Sequence, residues 1–461
     1  MLKIYAETYG CWLNKADTDI LVQGFLNAGC VFVTDVEKAD IVIVNTCAVR
    51  GDSEIRQIKR LKELASKYPD KIYVIAGCLA KIRIADIRKI FNGKCIIVDP
   101  NSIENTDEIV TAAFKREYKI FISDDRPMNK LPKFMPELHG HIYIVPVQVG
   151  CLCSCTFCVT KFARDVKGKV KSYSIELIVD NIKKAIKHGA REIYLTGQDV
   201  ACYGFDKGYT LVELLERILT EIEGEYYIRI GMSEPDAFMK IVDPLLDIIK
   251  RDYRVYRYFH LPVQSGSNAV LERMRRKYTV EEYIELVEKI RRELPEASIV
   301  TDIIVGFPGE TYEDFMKSVE LVEKLKFDKV HVARYSPRPY TEAAIMDNQV
   351  PDPEKKRRSK LLAEVANKVA LERNREFIGR TLRGIVSSRE PKGEGCVVRV
   401  MNYKPVIVKE LHQDMLSAIV DVHICSASHT SLFADAYRVV KEPSIRYTAI
   451  ETTALLEEDT S

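Results

Sequence analysis

Four cysteines crowd nine residues of this chain, in Gly150-Cys151-Leu152-Cys153-Ser154-Cys155-Thr156-Phe157-Cys158. Cys151, Cys155 and Cys158 stand in a C-x3-C-x2-C pattern, directly after an apolar β-type run over 142–147 with Pro146 near its end. Thiolates are soft ligands that favour zinc or iron–sulfur centres. Three of them on one loop leaving a strand suit a 4Fe–4S cluster. Such a cluster takes four ligands, so one iron would stay open to a small molecule. A tetrahedral zinc site that includes Cys153 is the rival. No register using Cys153 reproduces the x3, x2 spacing, so Cys153 reads as a small loop residue beside the metal.

The spacing resembles that of the radical S-adenosylmethionine (SAM) enzymes. The resemblance implies that the open iron chelates the amino and carboxylate groups of the methionine part of SAM.

A second set of thiols is spread along the first 140 residues. Strand-like runs at 3–7, 40–45, 72–76 and 95–98 alternate with helical stretches at 16–27, 53–68 and 82–91. In the second helix Ile55, Ile58, Leu61 and Leu64 recur at helical spacing, and Gly29 and Pro69 end the first two. This βα rhythm predicts a parallel sheet covered by helices. Cys11, Cys47 and Cys78 each follow one of the first three strands, and Gly10 and Gly77 let the chain turn sharply before a ligand. In a parallel sheet the strand C-termini share one edge, so three thiols distant in sequence can meet. Cys30 and Cys95 fall elsewhere and read as core residues, as do Cys396 and Cys425.

The stretches Thr8-Tyr9-Gly10-Cys11, Asn45-Thr46-Cys47-Ala48-Val49-Arg50 and Ala76-Gly77-Cys78-Leu79-Ala80 are similar to the N-terminal domain of the radical SAM methylthiotransferases. That resemblance implies an auxiliary 4Fe–4S cluster on Cys11, Cys47 and Cys78.

After the cysteine loop the βα rhythm resumes, giving about six units to residue 334 and predicting a partial TIM-type (β/α)6 barrel. Active sites of such barrels lie at the strand C-termini. The blocks Leu195-Thr196-Gly197-Gln198-Asp199, Phe259-His260-Leu261-Pro262-Val263-Gln264-Ser265-Gly266-Ser267 and Thr301-Asp302-Ile303-Ile304-Val305-Gly306-Phe307-Pro308-Gly309-Glu310-Thr311 resemble the same family. The resemblance implies that Thr196, Gly197, Gln198 and Asp199 meet the SAM amino group. Gln264, Ser265 and the loop after Val305, with Gly306, would line the same pocket. Taken alone, Gly306, Pro308 and Gly309 also fit a plain turn, and His260 fits a satisfied half-buried histidine. No catalytic acid or base is assigned, because the cofactor generates the radical.

A basic stretch follows the cluster loop, with Lys161, Arg164, Lys167, Lys169 and Lys171 against the single acid Asp165. A charge run is usually a solvated face. Beside an active site it reads as a phosphate contact for RNA. Asp165 stands where the family has glycine after Ala-Arg.

Beyond residue 345, a basic helix opening at 352 and running to about 377 leads into short β-rich pieces at 381–387, 396–400, 405–408, 417–425 and 431–440. Short strands at this spacing predict a small OB-like barrel. Its place in the chain resembles the RNA-binding TRAM domain of the family. The expected organisation is α/β and multidomain. It comprises a parallel α/β domain over 1–122, a Pro-bearing linker over 123–140, a radical SAM barrel over 141–345, a connecting helix over 346–379, a TRAM-like barrel over 380–446 and an acidic mobile tail over 447–461.

At 461 residues and a net charge of +2, the chain binds nucleic acid through local patches if at all, not through global charge. Twelve cysteines without a signal peptide argue for metal or redox chemistry rather than disulfides. No apolar run approaches the ~20 residues of a membrane span, so a soluble, cytoplasmic protein is expected. The resemblance spans nearly the whole chain, and within the family Cys151-Leu152 and Cys155-Thr156-Phe157-Cys158-Val159-Thr160-Lys161 look like the archaeal and eukaryotic branch. It implies two 4Fe–4S clusters, SAM, a tRNA substrate and an electron donor of flavodoxin or ferredoxin type. The implied reaction adds a methylthio group to C2 of threonylcarbamoyladenosine at position 37, beside the anticodon. Isopentenyladenosine, an aspartate of a ribosomal protein, or no catalysis at all in a zinc-filled RNA binder are the alternatives.

Overall fold

The computed structural model describes residues 1–444 except Asp165 and Lys392. The expected tail, the last two residues of the expected small barrel and the Asp165 departure therefore lie outside the described residues.

The N-terminal sheet is six-stranded and parallel, in the order Val31–Phe32, Lys3–Thr8, Ile41–Thr46, Ile72–Gly77, Ile96–Val98, Ile120–Phe121. Ile41–Thr46 and Ile72–Gly77 are buried along their whole length. Their unbroken apolar runs are what a sheet covered on both faces requires. The strand order reverses between Lys3–Thr8 and Ile41–Thr46. The helix after the first, Trp12–Asn27, packs on one face through Ile20, Leu21 and Phe25, and the helix after the other, Gly51–Lys67, on the opposite face through Leu61 and Leu64. Loops that part in this way leave a crevice at the strand ends.

Helix Gly51–Lys67 corrects the expected apolar stripe. Ile55 is 69% exposed, and Glu54 and Gln57 are buried in its place. Their polar ends have partners: Gln57 binds the backbone of Cys47, and Glu54 pairs with Arg83 and Arg338.

The second unit is a run of six parallel strands, Ile142–Pro146, Glu192–Thr196, Tyr227–Ile230, Tyr258–His260, Ser298–Val305 and Lys329–Arg334, alternating with helices. A bridge between Ile228 and Val255 joins the first three strands to the last three. The first and last strands do not pair, so the large barrel is open at its side. Helix Trp12–Asn27 covers the first-strand edge. Ala16 packs on Ile142, Ile144 and Tyr194, and the Trp12 ring meets Tyr194 edge-on at 4.8 Å.

Helix Asp352–Arg375 lies along the other edge and leads into a closed five-stranded barrel, Thr381–Arg389, Cys396–Val400, Pro405–Val408, Leu432–Lys441 and Ile419–Ala427. Cys396 is buried there as expected, whereas Cys425 is exposed. The small barrel seats on the strand N-termini of the large one, opposite the end that carries the cysteine loop. Tyr403 enters among Tyr194, Tyr256 and Tyr258, its ring 6.0, 5.1 and 4.9 Å from theirs. Lys404 Nζ reaches Asp328 at 2.6 Å and Asn374 at 2.7 Å, and Ser387 donates to the buried Glu192. No helix among the described residues is long and apolar enough to cross a membrane.

Candidate metal centres and active site

The loops that carry Cys11, Cys47 and Cys78 meet at the crevice of the N-terminal sheet. A methyl group added to Gly10 would lie 2.7 Å from Cys47 Cβ and 2.8 Å from its Sγ. Asn14 of helix Trp12–Asn27 ties the loops to one another, donating to Tyr9 O at 2.9 Å and Thr46 O at 3.1 Å. Cys47 N donates to Gln57 Oε1 at 2.7 Å, and Gln57 Nε2 returns a bond to Cys47 O. Gly77 holds φ +93°, and a Cβ there would strike Thr46 O at 2.3 Å, so only glycine lets the chain turn into Cys78. Burial pushes the Cys78 thiol up to about 11, and the nearby Arg164 guanidinium pulls the other way. All twelve thiols of the chain are free.

Cys151, Cys155 and Cys158 leave the end of the first large-barrel strand. Gly150, at φ +108°, carries the turn, and Cys151 N donates to Lys169 O at 3.0 Å. Residues 273–277 clasp the loop. Thr156 Oγ1 donates to Arg273 O, Thr156 N to Met274 O, and Lys277 Nζ to Leu152 O. The buried Arg276 donates to Cys155 Sγ at 3.3 Å and meets Glu234 at 2.6 Å. Cys153 is buried against the Cys151 and Cys155 thiols; the bond to Cys151 and burial push its thiol up, and the bond to Cys155 pulls the other way.

Four buried polar atoms at this end have no partner among the described residues: Gln148 Oε1, Gln198 Nε2, Asp199 Oδ2 and Gln264 Oε1. Native structures leave few such atoms unpaired, so together they outline a ligand. Three acceptors and one donor fit the amino, hydroxyl and carboxylate groups of SAM, and the thiols beside them fit an iron–sulfur cluster. Gln198 Oε1 takes the amide of Gly150 at 2.5 Å, and Asp199 Oδ1 takes the amides of Ala201 at 3.2 Å and Glu234 at 2.9 Å. Burial raises the Asp199 carboxyl to about 7.

The two triads are bridged by one short segment. Helix Thr160–Ala163 begins two residues after Cys158, and its Ala163 packs with Val159 against Ala48, Cys78 and Leu79.

Family models match the chain twice, a radical SAM superfamily domain over residues 145–322 and the uncharacterized protein family UPF0004 over residues 3–99. A probable threonylcarbamoyladenosine tRNA methylthiotransferase of Pyrococcus horikoshii is 41% identical, over 89% of this chain and 94% of its own length. The chain belongs to the radical SAM methylthiotransferase family. A tRNA-2-methylthio-N(6)-dimethylallyladenosine synthase of Thermotoga petrophila is 33% identical over 96% of this chain and 99% of its own. Among solved structures, the radical SAM methyltransferase TsrM of Kitasatospora setae shares the fold, with a TM-score of 0.52 at 15% identity over 74% of this chain and 77% of that one.

Within this methylthiotransferase fold the basic stretch is split. Arg164 is buried, not presented to RNA: its Nη2 reaches Asp17 at 2.8 Å and Asn14 at 3.0 Å, beside the auxiliary thiols. Lys161 is buried as well and donates to Cys155 O at 3.2 Å. Lys171 is held by Asp125 at 2.7 Å, while Lys167 and Lys169 are exposed. Both corrections have one cause, a segment threaded between the two triads, which a charge count cannot reveal. Thr196 and Gly197 stand at the strand end as expected, and Gln264 takes φ +72° there. Ser265 is fully buried and receives the amide of Ser267, and Gly306 lies under the Lys355 side chain. Both residues take part in the turns at the strand ends. Gln148, Glu234 and Arg276 went unnoticed in the sequence. Gln148 stands two residues before Gly150, a position that offers a signal; Arg276 stands in a basic run that offers none.

Proposed function

We propose that this protein is a tRNA methylthiotransferase that adds a methylthio group to C2 of threonylcarbamoyladenosine at position 37. The observation that carries the reading is the pair of separate cysteine triads, linked by helix Thr160–Ala163, at the end of the barrel where the unpaired polar atoms gather. Cys151, Cys155 and Cys158 would hold the radical-forming 4Fe–4S cluster, and Cys11, Cys47 and Cys78 the auxiliary one. SAM bound at the first supplies a radical able to remove the hydrogen of an aromatic C–H, which acid–base chemistry does not reach.

The protein's own part is geometric. Gln148, Gln198, Asp199 and Gln264 orient SAM through the atoms left unpaired. Arg276 holds the cluster loop against residues 262–264 through Pro262 O and Tyr278. Arg164 and Asp17 lock the auxiliary crevice to the large barrel. The small barrel and the exposed Lys167 and Lys169 are the surfaces offered to RNA, and a one-electron donor of flavodoxin or ferredoxin type completes the system.

The test is anaerobic reconstitution with iron and sulfide, followed by incubation with SAM, a one-electron reductant such as dithionite, and either bulk tRNA or ribosomes, with mass spectrometry of the nucleosides and of the ribosomal peptides. About eight irons per chain and 2-methylthio-threonylcarbamoyladenosine are expected. A methylthio group on isopentenyladenosine, or on ribosomal protein alone, would reassign the substrate. A colourless zinc protein would overturn the reading.

A further inference from the structure

Inside the large barrel three side chains from successive strands converge on one spot. His260 ends its strand, and Asp302 and His331 are register partners on the next two. His260 Nε2 lies 2.5 Å from Asp302 Oδ2, and the His260 and His331 rings are 5.6 Å apart. The His260 and Asp302 side chains keep 17% and 26% of their surface exposed, whereas Phe259, Leu261, Thr301 and Ile303 beside them are buried. The cluster therefore faces open space within the barrel rather than its packed wall.

The cluster is connected toward both triads. Asp302 O takes the amide of Gln264, whose side chain has one of the unpaired atoms of the SAM pocket. From the other side comes the charge of Arg50, three residues past Cys47, which bears on both Asp302 and His331. The ligand atoms of His260, Asp302 and His331 all lie within 4.8 Å of one another, close enough for a divalent cation. The positive charge of Arg50 works against a cation there, and Asp302 already accepts from His260. A neutral ligand with its own donor and acceptor suits the spot better. Burial holds His331 down to about 4, so it offers a neutral imidazole with one donor and one acceptor.

We propose that His260 and Asp302, with His331 beside them, hold the target adenine itself. The Asp302 carboxylate accepts from the exocyclic N6–H, and an imidazole N–H donates to a ring nitrogen. An adenine edge presents this donor–acceptor pair, and enzymes that act on a base read it extruded from its stack in such a pocket. The inference rests on the tRNA reading above and names the groups that recognise the base.

The experiment compares two anticodon stem–loops that lack the threonylcarbamoyl group, so that only the edge of the purine itself is read: one with adenosine at the target position and one with purine riboside, which lacks the exocyclic nitrogen. Their affinities for the reconstituted enzyme are measured alongside those of Asp302→Ala and the near-isosteric Asp302→Asn. Wild type should prefer adenosine by about tenfold, one hydrogen bond to a charged group. Asp302→Ala should bind both RNAs alike with its clusters intact, and Asp302→Asn should lose most of the preference. Both variants should also release more 5′-deoxyadenosine per methylthiolated product on full-length tRNA. Indifference of wild type to the missing amino group, or a preference that survives both substitutions, would overturn the proposal. So would stoichiometric Mn2+ binding by wild type that His331→Ala abolishes. Failure of wild type to methylthiolate any tRNA would instead strike the functional reading, since the binding comparison is scored without turnover.

Discussion

Each sulfur of the two triads has a different consequence when removed. Cys155→Ala should bring iron down to about four per chain and stop 5′-deoxyadenosine formation, because the cluster beside Arg276 loses a ligand. Cys47→Ala should also lose one cluster yet still cleave SAM without inserting sulfur. Iron analysis together with nucleoside mass spectrometry separates the two. Asp199 gives a pH signature. Burial raises its carboxyl to about 7, so the empty pocket holds the acid form below that pH and the anion above it. An iron-chelating SAM amine would keep two N–H donors, which the Asp199 anion accepts better than the acid, so affinity should fall as pH drops from about 8 to about 6, and Asp199→Asn should remove the part of that fall that belongs to Asp199. The sign for folding is opposite. A carboxyl raised on folding costs stability as pH climbs from its ordinary value through 7. The cysteines were legible because thiols are rare and their spacing is chemistry. Arg164 and Arg276 were not, because an arginine's partner lies in the tertiary structure; here the partners are Asp17 and Glu234.

At the scale of elements, strand, glycine and cysteine recur as one unit. Its first part was legible wherever a strand was long enough to show a run. Val31–Phe32 and Ile120–Phe121 have two residues each and left no pattern. Helix Gly51–Lys67 was legible in extent but not in rotation. Its polar Gln57 displaces the apolar Ile55 from the inside in order to hold the Cys47 loop. Gln57→Leu should therefore destabilise the fold by about 1–3 kcal/mol despite adding apolar surface, since the buried Cys47 N–H loses its Gln57 acceptor. Thermal melting, read with the iron retained after gel filtration, checks this. Gln57→Glu, which keeps the acceptor for that amide, should lose less.

At the scale of the molecule, the order of units along the chain was legible, but their mutual seating was not. Buried links do that work: Arg164 and Arg126 converge on Asp17, and Lys404 reaches Asp328. Ending the chain after residue 379 would uncover Tyr194, Tyr256 and Tyr258 at the foot of the large barrel. The truncated protein should aggregate or melt several degrees lower, beyond any loss of RNA affinity. Tyr403→Ala should reproduce part of that drop within the intact chain, by leaving a cavity where its ring packed among three tyrosines. Light scattering and a melting curve are the measurements. If the small barrel meets nucleic acid on its outside, it doubles as masonry on its inside. Drift in its outer face would then be disciplined by the need to keep the large barrel closed from below, and a graft from a relative would have to carry both halves of that contract or neither.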